Sequence, residues 1–254
     1  MTYSYNLLFE PWIPCILHSS EVHYLSIRDT LAHAGEIQKI HAELPPMTAS
    51  IHFLLLAILY RTQEIETDED WESLWNQSTF EMDKLNTYIK RWQQRFDLFD
   101  KEHPFYQDVK IGKRSKDITN LNGAEMQPKG VNGLILHSSN GDAATLFDHT
   151  TDDKPSPFPI DLMARMLLMF QSFSLGGMSS ASISVDKYYS DAPHARGVVF
   201  LMRGNNLFET LMRNLVAADY DQSVASEGDL PAWEREDYFN EERNIPSGLL
   251  DFLT

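Results

Sequence analysis

The stretch from Ile160 to Phe173 constrains this chain most. Leu162, Met163, Met166, Leu167, Leu168, Met169, Phe170 and Phe173 put apolar side chains on nearly every side of a helix. Such a helix belongs in an interior, so the remaining segments must supply its walls. A second helix follows Pro45-Pro46, a pair that reads as a break in the chain. There Ile51, Leu54, Leu55, Ile58 and Leu59 recur at helical spacing, with Arg61 near the end. Between Glu81 and Phe99 the pattern returns through Leu85, Tyr88, Ile89, Trp92, Phe96 and Phe99, and Asn206 to Ala218 reads as an amphipathic helix. This spacing places Leu54, Leu55, Ile58, Trp92, Leu167 and Phe170 in the core.

Strand signals are shorter. Tyr3 to Leu25 reads as two or three strands broken at Pro11 and Pro14. Ser26 ahead of Ile27-Arg28-Asp29 is a capping-box-like start for a short helix to about Ala34. Val131 to Leu136, Ala143 to Phe147, Ile183 to Tyr189 and Gly197 to Arg203 read as further strands. Met126 to Asp142 is polar and without period, which predicts mobility in the free chain. The fold expected is α+β, a mixed, helix-rich globular domain with short β-sheets. It spans 1–254 and ends in an acidic, irregular segment at about 219–254.

With 254 residues, 43% of them hydrophobic, a sizeable core is within reach. No run of about 18 apolar residues is present, so no membrane span is expected. Met1-Thr2-Tyr3-Ser4-Tyr5 lacks the basic and apolar regions of a signal peptide. Cys15 is the only cysteine, which excludes an internal disulfide and a multi-cysteine zinc site. These features together point to a cytoplasmic location. The formal net charge of -16 argues against a general nucleic-acid binder. The charge is uneven, however. Glu64 to Glu72 and Gln222 to Glu242 are acidic, whereas Lys110, Lys113, Arg114 and Lys116 form a basic cluster, and Arg196, Arg203 and Arg213 a sparser one. These are either solvated surface charges or the basic working face of an acidic subunit.

No Walker loop, dinucleotide-binding loop, paired-histidine zinc motif, serine elbow or kinase signature occurs. His149-Thr150-Thr151-Asp152-Asp153 has no spaced second histidine and reads as a polar loop, not a metal site. His103-Pro104-Phe105 reads as a structural turn. No metal, cofactor or catalytic group is expected. Gly176-Gly177 is the best local site candidate, because a glycine pair lets backbone approach another surface closely. Its plain alternative is a helix C-cap.

Several segments together resemble one family. Tyr5-Asn6-Leu7-Leu8-Phe9-Glu10-Pro11-Trp12-Ile13-Pro14 is similar to its opening, and Leu25-Ser26-Ile27-Arg28-Asp29 to the helix start that follows. Glu102-His103-Pro104-Phe105-Tyr106-Gln107 is the most distinctive match. Ala143 to His149 and Arg203-Gly204-Asn205-Asn206-Leu207-Phe208-Glu209-Thr210-Leu211 complete an ordered set over nearly the whole chain. The family is CasA, the large subunit of the type I-E CRISPR Cascade complex.

The resemblance implies a non-catalytic subunit of an antiviral complex that carries a guide RNA. It would inspect double-stranded DNA for the protospacer-adjacent motif, support target binding and help recruit the helicase-nuclease. Its partners would be other Cascade subunits, the CRISPR guide RNA, target DNA and that effector. Gly176 and Gly177 sit where the family's DNA-contacting glycine loop falls, and Lys113, Arg114 and Lys116 are candidate phosphate contacts. Gln127, Lys129, Asn132 and Asn140 fall where members have a loop touching guide RNA and neighbouring subunits. The family's lysine finger, glutamine wedge and C-terminal helical bundle lie beyond the last residue here, which implies an N-terminal portion or a shortened relative. The alternative reading is an assembly module that docks on Cascade without reading the motif.

Overall fold

A computed structural model describes residues 3–109, 134, 157–178, 188–217, 228–236 and 246–254. The expected strands at Val131 to Leu136 and Ala143 to Phe147 lie outside the described residues apart from position 134, as do the expected mobile stretch, again apart from position 134, and the His149 to Asp153 loop.

The chain begins with a three-stranded antiparallel sheet, β1 (Ile13–Leu17), β2 (Val22–Leu25) and β3 (Ile37–Ile40), in the order β2-β1-β3. Register sets Cys15 opposite His23 on one side and Ile40 on the other. Ile13, Cys15, Ile37 and Ile40 are buried, while Val22 and Tyr24 on the edge strand β2 face solvent. Helix α1 (Ile27–Ala32) starts as the sequence predicts. The Ser26 hydroxyl accepts the Asp29 N–H at 3.1 Å and donates to its carboxylate at 2.9 Å.

The centre of the fold is α2 (Pro45–Thr62), not the 160–173 helix. Every residue from Met47 to Leu59 except Thr48 is buried. The Pro45-Pro46 pair does not break the chain before it. It forms the helix's first turn, where the missing N–H costs nothing and φ is preset. Around α2 pack α4 (Met82–Trp92), α5 (Ile160–Phe173), α6 (Leu207–Met212) and α7 (Leu249–Leu253).

Leu54, Leu55 and Ile58 are fully buried, as expected. Trp92 and Leu167 are half-buried, and Phe170 is 38% exposed, so its assignment to the core is corrected. The reason lies in α5, which buries only the face carrying Ala164, Arg165, Met166, Leu168 and Met169. Phe170 sits on the opposite flank. Gly197 to Arg203 is likewise no sheet strand. The Asn214 side chain satisfies Met202, accepting its N–H at 3.0 Å and donating to its carbonyl at 2.8 Å. Val198 and Phe200 are 79% and 82% exposed. Helix α6 is also shorter than the expected Asn206 to Ala218.

An acidic helix escaped the periodicity reading. α3 (Asp68–Gln77) opens with a Thr67/Asp70 capping box and packs through Trp71 and Trp75, which stack at 5.1 Å. The Trp71 indole donates to the Met212 carbonyl at 3.0 Å. Of the acidic segment at about 219–254, the described parts fold back onto the core. Trp233 lies 5.1 Å from the Phe96 ring and donates to the Tyr88 hydroxyl, which in turn donates to Glu234. Arg61 clamps Glu234 with two bonds of 2.8 and 2.9 Å.

Candidate nucleic-acid interface

Helix α5 stops at Phe173 because Ser174 turns extended, with φ −63° and ψ 139°. No glycine occupies a left-handed cap there, so the helix-cap reading of Gly176-Gly177 does not describe how this helix ends. Beyond the helix the chain pairs with a returning segment. The Ala192 and His194 N–H groups donate to the carbonyls of Ser174 and Ser172. Gly177 and Met178 form β4, antiparallel to β5 (Tyr188–Tyr189), with Gly177 opposite Tyr189.

The glycine pair therefore lies at the start of a short two-stranded ribbon, and residues 179–187 between its strands lie outside the described residues. Asp191 holds the pair there. Its carboxylate accepts the Gly176 N–H at 2.7 Å and pairs with Arg196, whose side chain is 85% exposed. Leu175 beside it is 79% exposed. Arg196 thus stands beside the glycine backbone, but with its charge paired to Asp191.

His194 fixes the ribbon to the body. Its ring stacks on Phe53 at 4.1 Å and meets the edge of Phe252 at 4.4 Å. Burial holds this histidine below its ordinary pKa, so it stays neutral. Neither the glycine spacing nor the local pattern pointed to His194. Its signal is tertiary, since the three rings come from distant segments.

Of the expected basic residues, Lys113, Arg114 and Lys116 lie outside the described residues, as do Gln127, Lys129, Asn132 and Asn140. Arg213 is engaged locally, 3.6 Å from Glu209 and over the Trp75 ring. The Glu102 to Gln107 motif is structural. Asp100 accepts the N–H groups of Glu102 and His103, Phe105 is buried against Phe96, and Gln107 donates to the Leu98 carbonyl. Tyr106 takes a left-handed φ of 55°, a strained position for a bulky residue that the aromatic cluster around Trp233 holds in place.

A family model for CRISPR-associated protein Cse1 matches residues 6–254. The protein CasA/Cse1 of Thermus thermophilus is 34% identical over 232 residues, 91% of this chain and 42% of that one. Its solved structure superposes with a TM-score of 0.71 at 29% identity, again over 91% of this chain and 42% of that one. A chain from a structure described as a CRISPR RNA-guided surveillance complex superposes at 0.82 with 20% identity, over 97% of this chain and 50% of that one, and so supports the fold. The chain thus spans about half the length of the relatives it matches. A family model matched across almost every residue, on a fold shared with solved members, places this chain in the CRISPR-associated protein Cse1 family.

Proposed function

We propose that this chain is the N-terminal part of the large subunit of a CRISPR RNA-guided surveillance complex, acting in the cytoplasm as a non-catalytic DNA-recognition subunit. It reads the protospacer-adjacent motif in double-stranded DNA, supports target binding and assists recruitment of the helicase-nuclease. The observation carrying this reading is the family match over residues 6–254. The ribbon base at Gly176-Gly177 supports a role for backbone in the contact. Minor-groove readout separates mainly A·T from G·C, and a groove floor admits backbone where bulky side chains are excluded. Lys113, Arg114 and Lys116 would meet phosphates and position without specifying. Gln127, Lys129, Asn132 and Asn140 would face guide RNA and neighbouring subunits.

The test adds this chain to a guide complex stripped of its large subunit. Affinity is then measured for DNA with and without the motif, at two salt concentrations. Gly177→Leu is expected to lower the ratio of the two affinities in a folded, docked subunit. Lys113→Ala or Arg114→Ala should weaken both alike and flatten the salt dependence. An unchanged ratio in Gly177→Leu would overturn the glycine assignment. Docking of the unaltered chain without any motif dependence would make it the assembly module instead.

A further inference from the structure

Arg203 is exposed and has no ion pair among the described residues, unlike Arg196 and Arg213. It borders a cavity of about 480 Å³ between β3, the start of α2 and the segment leading into α6. Lys39, His41, Thr48 and His52 line the same cavity, and Lys39 likewise has no ion pair among the described residues. Glu43 is the acidic group on the wall, but its carboxylate is held bidentately by Arg165 at 2.7 and 3.0 Å. The free charge facing the space is therefore positive, in a chain whose net charge is -16.

His52 shows that the site is built inward as well as charged at its mouth. The residue is 5% exposed. Its Nδ1 lies 2.7 Å from the Thr48 carbonyl, which can only accept, so Nδ1 carries the proton. Nε2 then carries a lone pair with no hydrogen-bond partner among the described residues, and His52 lines the cavity. Burial, and the nearby Arg203 charge, keep the ring neutral while the cavity holds no anion. The Thr48 hydroxyl accepts the Ala42 N–H at 3.1 Å, which leaves its own proton for a ligand.

Two cations unpaired among the described residues, a free hydroxyl proton and a histidine nitrogen that can take up a proton from solvent when an anion enters are what a phosphate group requires. We propose that this cavity binds a phosphate group through Lys39, Arg203, Thr48 and His52, carried either as the end or backbone of a nucleic-acid strand or as free phosphate. The site does not depend on the motif-reading role, and it lies in a different segment from the Gly176-Gly177 ribbon.

The test uses the whole chain with selectively labelled histidine. The probes are inorganic phosphate, a 5′-phosphorylated trinucleotide and the same trinucleotide without its terminal phosphate. The His52 ring nitrogens are expected to shift on phosphate addition and not on chloride at equal ionic strength. Lys39→Gln with Arg203→Gln should weaken binding by about ten-fold or more, with Arg203→Lys recovering part of it. Both side chains are accessible, so these variants should fold. Binding of both trinucleotides points to backbone phosphate, and of the phosphorylated one alone to a strand end. Binding of inorganic phosphate alone points to the free ion. No His52 response up to about 10 mM of any probe, or equal affinity in the double variant, would overturn the proposal.

Discussion

Arg165 is the residue whose role the sequence least announces. It stands in an apolar helix, yet is 2% exposed and reaches Glu43, Asp161 and the Trp12 carbonyl, the last at 2.6 Å. It thereby joins α5 to β1 and the start of α2. The pair with Glu43 is asymmetric, because Glu43 is 45% exposed and can hydrate by itself. Arg165→Ala strips a buried carbonyl of its donor and leaves a cavity, so a loss of roughly 3 kcal/mol is expected in chemical denaturation. Gly204 is fixed for a different reason. A Cβ there would overlap the Glu209 side chain and come within 2.8 Å of the Glu209 carbonyl carbon. Gly204→Ala must displace the start of α6, and a cost of about 1–3 kcal/mol should appear as a lowered urea midpoint. Cys15 is buried, which pushes its thiol pKa up to about 12. It should resist alkylation in the folded chain and react on unfolding, so labelling rate reports opening of the sheet.

At the scale of elements, the helices show where periodicity suffices. Leu54, Leu55 and Ile58 mark α2 correctly because a helix buried on all sides leaves no ambiguity about its face. In α5 the same apolar richness is misleading, since Phe170 is apolar yet left on the open flank. Helix α3 was missed because its acidic content masked it, although Thr67 and Asp70 carry a capping signature. The histidines couple elements to pH. His52 on α2 and His194 at the ribbon base are both held below the ordinary pKa by burial. Above about pH 6.5 neither state binds these protons, and nothing is lost. As pH falls below that value the unfolded chain takes up protons that the folded chain refuses, so stability declines toward the lowered folded values. Denaturation midpoints should hold level from pH 8 to about 6.5 and drop from there to about 5.5, and His194→Phe should flatten that slope.

For the whole molecule, the charge of -16 governs encounters at long range. The isolated chain should bind duplex DNA weakly at physiological salt, with assembly into a guide complex supplying most of the phosphate neutralisation. Fluorescence anisotropy of the chain alone against labelled duplex checks this. Tight, salt-sensitive binding would contradict it. Among the described residues no helix is long and apolar enough to cross a membrane.

The sequence by itself determined the mixed α+β class, the α1 start at Ser26, the extent of α5 and the family, because these rest on local spacing, capping chemistry and ordered motifs. Only the tertiary structure decided that α2 is the centre, that Arg165 is buried, and that Asp229 serves α7. Its carboxylate accepts the Leu250 and Asp251 N–H groups from about twenty residues away along the chain. The same holds for Asp191 beneath Gly176 and for Lys39, His52 and Arg203 around one cavity. Each of these depends on side chains far apart in sequence meeting at one place, and no pattern along a single segment encodes such a meeting.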